Sequence, residues 1–113
     1  MSYHKITPET IRWNQRIGAR VKTIRELKGM SQSALSKRLG FTSSGTMSLI
    51  ETGKRGIDLM TLGKIARALD TYPEIITDQR ELSREELIAL DKLVHILKDP
   101  QDPRYTDLLL LLK

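Results

Sequence analysis

The chain has 113 residues and a mass of 12.9 kDa, room for one domain and an appended segment but not for two full domains. Its 39% hydrophobic content supports a core, which excludes a chain disordered by composition. The 19 Lys+Arg against 14 Asp+Glu make it basic, and the absence of cysteine excludes disulfides, thiolate metal sites and cysteine nucleophiles.

The apolar pattern is helical almost throughout, so an all-α fold is expected. The first helix opens at Thr7-Pro8-Glu9, where a cap, a first-turn proline and an acidic residue coincide. Trp13, Ile17, Val21, Ile24 and Leu27 then form one apolar face, and Gly29 ends the helix. Ser31 caps a second helix, with Leu35 and Leu39 on its inner side and Gly40 at its left-handed end. Phe41 reads as a core plug in the turn.

A third helix begins near Thr42 or Ser43, with Met47 and Ile50 facing inward. It stops at Thr52-Gly53, ahead of the basic loop Gly53-Lys54-Arg55-Gly56. Asp58 caps a fourth helix, whose buried face is Leu59, Leu62, Ile65, Ala66 and Leu69. A short fifth helix falls at Pro73–Ile76.

Residues 77–82 form a polar connector. Ser83 and Glu86 have the spacing of a capping box. In the sixth helix Leu87, Leu90, Val94 and Leu97 make a stripe that Ile88, Leu93 and Ile96 widen. The run from Asp99 to Pro103 breaks it. The last segment, Arg104–Lys113, is apolar on every side at Leu108–Leu112. Such a stretch packs against its own domain or forms a subunit interface. The second reading is preferred, because exposed apolar patches are scarce on monomers.

Charge divides the chain. Residues 1–69 carry 13 Lys+Arg and 4 Asp+Glu, whereas residues 70–113 carry 6 and 10. A basic half joined to an acidic half points to a polyanion facing the first half only. Within that half, two short helices meet at Gly40. Ser36 is small enough for close approach, and Leu35, Leu39, Phe41, Met47 and Ile50 supply the inward set. This is the pattern of a helix-turn-helix unit, in which the second helix enters the major groove.

The run Ile17-Gly18-x-Arg20-Val21-x-x-Ile24-Arg25-x-x-Lys28-Gly29-Met30-Ser31-Gln32 resembles the opening of the Xre-type, lambda-repressor-like helix-turn-helix proteins. The likeness continues through Leu35, Leu39-Gly40-Phe41, Ile50-Glu51-Thr52-Gly53-Lys54-Arg55 and Leu62-x-x-Ile65-Ala66-x-Ala68-Leu69. It spans about residues 16–76, roughly half the chain. The resemblance implies a five-helix DNA-binding domain over residues 8–76. The remainder, residues 77–113, is then a helical extension for dimerisation or for binding a partner or antagonist protein.

By the same resemblance, Gln32 touches phosphate and steadies the reading helix. Thr42 and Ser43 bind backbone phosphate, or serve only as caps. Ser44, Gly45, Thr46 and Ser48 face base edges. Lys54 and Arg55 clamp phosphate, unless they are merely solvated. Leu87, Leu90, Val94, Leu97, Leu109, Leu110 and Leu112 form the dimer or partner interface.

The spacing from Gly40 to Glu51 is one residue longer than usual. Counting from Gly40 turns Thr46 and Leu49 inward. Counting back from Glu51-Thr52-Gly53-Lys54 turns Met47 and Ile50 inward, and this register is preferred. It leaves Leu49 where relatives often carry a cation. Gly45 lowers helix propensity by about 1 kcal/mol relative to alanine. The reading surface is then small and hydroxylic, without the bidentate arginine–guanine or asparagine–adenine pairing. Readout is expected to lean on shape and phosphate positioning.

No cofactor, metal or enzymatic pattern is visible. His4 and His95 are too far apart in sequence to suggest a site. The GxxG at Gly53–Gly56 lacks the flanking strands of an RNA-binding KH domain. Tyr3-His4-Lys5 with Arg12 could enter a minor groove, although a disordered terminus is the simpler reading. No signal peptide or membrane span is visible, so a cytoplasmic protein is expected. The expected function is a homodimeric, sequence-specific regulator of transcription, most simply a repressor on a palindromic operator in double-stranded DNA. The alternative is an antitoxin-like protein whose C-terminal helices hold a partner while the N-terminal domain autoregulates.

Overall fold

The structure is a computed structural model and describes residues 6–111, apart from the Ser44 side chain. Tyr3, His4, Lys5 and Leu112 therefore lie outside the described residues. Seven helices and no strand occur among those described. The chain divides into two compact units, one ending at Gln79 and the other beginning at Arg80.

The first unit holds α1 (Pro8–Leu27), α2 (Gln32–Leu39), α3 (Ser44–Glu51), α4 (Leu59–Ala68) and α5 (Pro73–Ile76). Local chemistry sets their ends. The hydroxyls of Thr7, Ser31 and Ser43 and the carboxylate of Asp58 accept from the backbone amides of Thr10, Ala34, Gly45 and Thr61. These caps satisfy amides that have no partner inside a first helical turn. Gly40 ends α2 at φ 74° and Gly53 follows α3 at φ 76°, where a side chain would be strained.

Helix α1 packs on α3 and α5, and α2 packs on α3 and α4. The core they enclose includes Val21, Leu35, Met47, Ile50, Ile65, Leu69, Ile75 and Ile76, each 2% exposed or less. Three apolar assignments are overturned at its edges. Trp13 is 45% exposed and Leu59 is 86% exposed, though both follow the period of a buried face. Each stands one turn before the first buried residue of its helix, Ile17 in α1 and Leu62 in α4. Phe41, expected as a plug, is only half-buried.

The second unit pairs α6 (Arg84–Leu97) with α7 (Tyr105–Leu111). The capping box is formed in full: Ser83 Oγ accepts from the Glu86 amide, and Glu86 Oε1 accepts from the Ser83 amide at 2.9 Å. These bonds hold the Glu86 carboxyl below its usual range. Between the helices, Asp102 accepts from the Arg104 guanidinium through both oxygens, which pulls its carboxyl down to about 2. Leu87 and Ile96 are buried, while Leu93, Leu109, Leu110 and Leu111 are exposed.

Candidate nucleic-acid interface

Helix α3 is two turns long, far too short to be stable alone. Its position comes from three contacts with the helices before it. The first is steric. A Cβ at Gly18 would overlap the Ile50 carbonyl oxygen and lie 2.8 Å from that of Glu51, so only glycine lets α1 come this close to the α3 backbone.

The second is ionic. Arg25 Nε donates to Glu51 Oε2 at 2.6 Å and Nη2 donates to Oε1 at 3.0 Å. The two side chains are 10% and 2% exposed. Arg25 Nη1 also donates to the Met30 carbonyl at 2.8 Å, and Gln32 Nε2 donates to Glu51 Oε1 at 2.9 Å. The carboxylate at the C-terminal end of α3 is thus bonded to α1 and to the first residue of α2. Hydrogen bonding to Glu51 raises the Arg25 guanidinium above its usual value.

The third contact lies in the loop after α3. A Cβ at Gly53 would sit 2.5 Å from the Gln15 Cα, and one at Gly56 would sit 3.1 Å from the Asn14 Oδ1. The amides of Lys54 and Arg55 both donate to the Leu49 carbonyl, which folds the loop back onto the helix end.

Held in this way, α3 turns Met47 (0% exposed) and Ile50 (2%) inward and leaves Leu49 43% exposed. The register counted back from Glu51 is therefore the one the fold adopts. Gly45 and Ser48 are exposed, as are Thr42 and Ser43 before the helix. The Ser43 hydroxyl accepts the Gly45 amide at 3.1 Å, so it works as a cap. Thr46 is half-buried and lines a cavity of about 100 Å³ with Phe41, Ile50, Arg55 and Thr61, which draws it away from the outer face. Lys54 and Arg55 are exposed, and their side chains make no hydrogen bond or ion pair among the described residues. Gln32 is half-buried, with its amide turned to Glu51.

In the second unit, Leu90, Val94 and Leu97 are half-buried, Leu87 is 2% exposed, and Leu109 and Leu110 are 39% and 61% exposed. Leu87 therefore has little surface to offer a second chain. Sequence reasoning assigned no role to Arg25, Glu51, Gly18 or Asn14. Arg25 and Glu51 stood inside the family-like motif, but the partner of each lies 26 residues away.

A short helix braced by the one before it, with a small exposed face and free cations at its far end, defines a helix-turn-helix DNA-binding domain. Residues 21–76 match the family model described as Helix-turn-helix, and this domain belongs to the Xre-type, lambda-repressor-like family of DNA-binding transcriptional regulators. No curated protein matches the chain. Among the described residues no group of side chains could hold a metal ion, and no helix is long and apolar enough to cross a membrane.

Proposed function

We propose that the protein is a sequence-specific regulator that binds a palindromic operator as a homodimer, most simply a repressor. The observation that carries this reading is the register of α3. With Met47 and Ile50 inside, Gly45 and Ser48 look outward, and Lys54 and Arg55 stand free at the helix end. In this reading Ser44, Gly45, Ser48 and, less directly, Thr46 meet base edges. Thr42, Ser43, Lys54 and Arg55 hold phosphates. Gln32 steadies α3 through Glu51 and reaches phosphate with what remains of its amide. The face carries no arginine or asparagine for bidentate readout, so specificity rests on thymine methyl contacts, groove shape and phosphate positioning.

Pairing of two chains is assigned to the exposed leucines of α7, Leu109 and Leu110, together with Leu90, Val94 and Leu97 of α6. Two-fold symmetry then sets the half-sites about 34–36 Å apart.

Selection of bound duplex from a random pool is expected to return an inverted repeat with that spacing. The Lys54→Ala and Arg55→Ala variants are expected to weaken binding on all sequences alike and to flatten its salt dependence, by about 0.9 per lost contact in the slope of log K against log salt. Retention of no duplex, or indifference to both substitutions, would refute the reading. Sedimentation of the purified chain checks the homodimer. Isolation of a stoichiometric complex with a different protein through α6 and α7 would replace it with the partner-binding alternative.

A further inference from the structure

We infer that the DNA-binding unit carries a second phosphate-binding tract, separate from α3 and its loop, that takes the duplex backbone outside the half-site. The inference rests on the proposed DNA-binding function. A cleft of about 460 Å³ lies between the C-terminal ends of α2 and α4 and is lined by Lys37, Arg38, Lys64 and Arg67 over a floor of Leu39 and Ala68. A second cleft of about 440 Å³ runs along α2 to Ser33 and Thr42. Lys37 borders both. The two clefts therefore follow one another from Thr42, already assigned to phosphate, across α2 to α4.

Neither cleft is lined by a carboxylate. Lys37, Lys64 and Arg67 are exposed and make no hydrogen bond or close ion pair among the described residues, although Lys64 is attracted to the Asp58 carboxylate at the start of α4. Arg38 donates to the Ala68 carbonyl at 3.1 Å. Favourable placement near the negative ends of the helices accounts for Lys37, Arg38 and Arg67. Neither that placement nor the pull of Asp58 on Lys64 accounts for the convergence of four like charges on one cleft. An anion offsets that repulsion. The hydroxyls of Ser33 and Thr42 at the other end are of the kind that hold backbone phosphate. Continuity with Thr42 favours DNA over an acidic protein as that anion.

The test uses the full chain and the operator recovered by selection, in two duplexes. One ends at the half-site edges, and the other extends about 10 bp, one helical turn, beyond each. Extension is expected to tighten wild-type binding on the order of tenfold near physiological salt and to steepen its salt slope. The variant carrying Lys37→Gln, Lys64→Gln and Arg67→Gln is expected to bind both duplexes with the affinity of wild type for the short one. The Lys64→Glu variant is expected to lose part of the gain from extension. A wild type indifferent to the flanks overturns the inference, as does a triple variant that gains as much from extension as wild type. So does a triple variant that keeps its flank dependence but loses binding to polyglutamate, which would mark the cleft as a protein site. Failure of the wild type to retain any duplex removes both this inference and the proposed function. Flank-independent binding removes only this one.

Discussion

The two units of this chain use their apolar residues in opposite ways. Among its described residues the α1–α5 unit buries twelve apolar side chains, and its buried Arg25–Glu51 pair is closed with the Glu51 side-chain bonds directed at α1 and α2. Among its described residues the α6–α7 unit buries only the apolar side chains of Leu87 and Ile96 and leaves Ile88, Leu93, Leu109, Leu110 and Leu111 between 39% and 79% exposed. A helix whose leucines stay in water forgoes roughly 25 cal/mol for each Å² of apolar surface. The first unit is thus built to hold one shape, and the second leaves apolar surface uncovered.

The sharpest way to break this contrast is at Glu51. Removal of the carboxylate in Glu51→Ala leaves Arg25 buried without a counter-charge and Gln32 without its acceptor. A loss of about 3–5 kcal/mol is expected in urea unfolding. Gly18→Ala is expected to cost about 3 kcal/mol by the same measurement, because its Cβ meets backbone and not a movable side chain. A stability within 1 kcal/mol of wild type, by the same scale for overpacked sites, would contradict the packing described for α3.

The second unit is expected to respond differently. Leu110→Glu places a charge on a side chain that is already 61% exposed, so thermal unfolding of the α1–α5 unit should hardly change. Association measured by sedimentation equilibrium should weaken on the order of tenfold or more, the cost of an unpaired charge in an apolar contact. Equal association of variant and wild type would remove α7 from the interface.

A smaller effect of opposite sign is expected at Ser36. Its hydroxyl is buried and has no hydrogen-bond partner among the described residues. Ser36→Ala keeps the small volume and removes an unsatisfied polar group, so the unit should gain about 1 kcal/mol. A loss on thermal melting would show that the hydroxyl is engaged.

The smallest effect is electrostatic and belongs to α6. The Glu86 carboxyl is held below its usual value of 4.5 by the Ser83 bonds. A carboxyl lowered in the folded state contributes stability above its unfolded value, and the contribution fades as pH falls through the folded one. Amide protection at the start of α6 should therefore decline below about pH 4.5, and Glu86→Gln, which removes the titrating carboxyl, should flatten that decline. An acid response unchanged by the substitution would assign it to another carboxylate.

Much of the molecule was legible in the residues alone. Thr7, Ser31, Asp58 and Ser83 announced the starts of four helices and a fifth was narrowed to Thr42 or Ser43, of which Ser43 is the cap; each cap holds an amide two or three residues on. The α3 register was also legible, because Gly53 must follow the helix end and the apolar pair can be counted back from it. Trp13 and Leu59 misled for one reason: periodicity tells which side of a helix is apolar but not how far along its length a neighbour covers it. Thr46 shows the converse, since a candidate for contact can be drawn inside by residues away from its own helix, here Arg55 and Thr61.

The amino-acid order by itself determined the helices, their ends and the family likeness, because capping and the 3.6-residue period act within one or two turns. Tertiary structure alone decided that Arg25 and Gln32 meet at Glu51, that Gly18 lies under the α3 backbone, and that four cations gather between α2 and α4. Those relations join residues 19 to 32 or more positions apart, and only the folded chain, having offset the entropy of bringing them together, puts them within bonding distance.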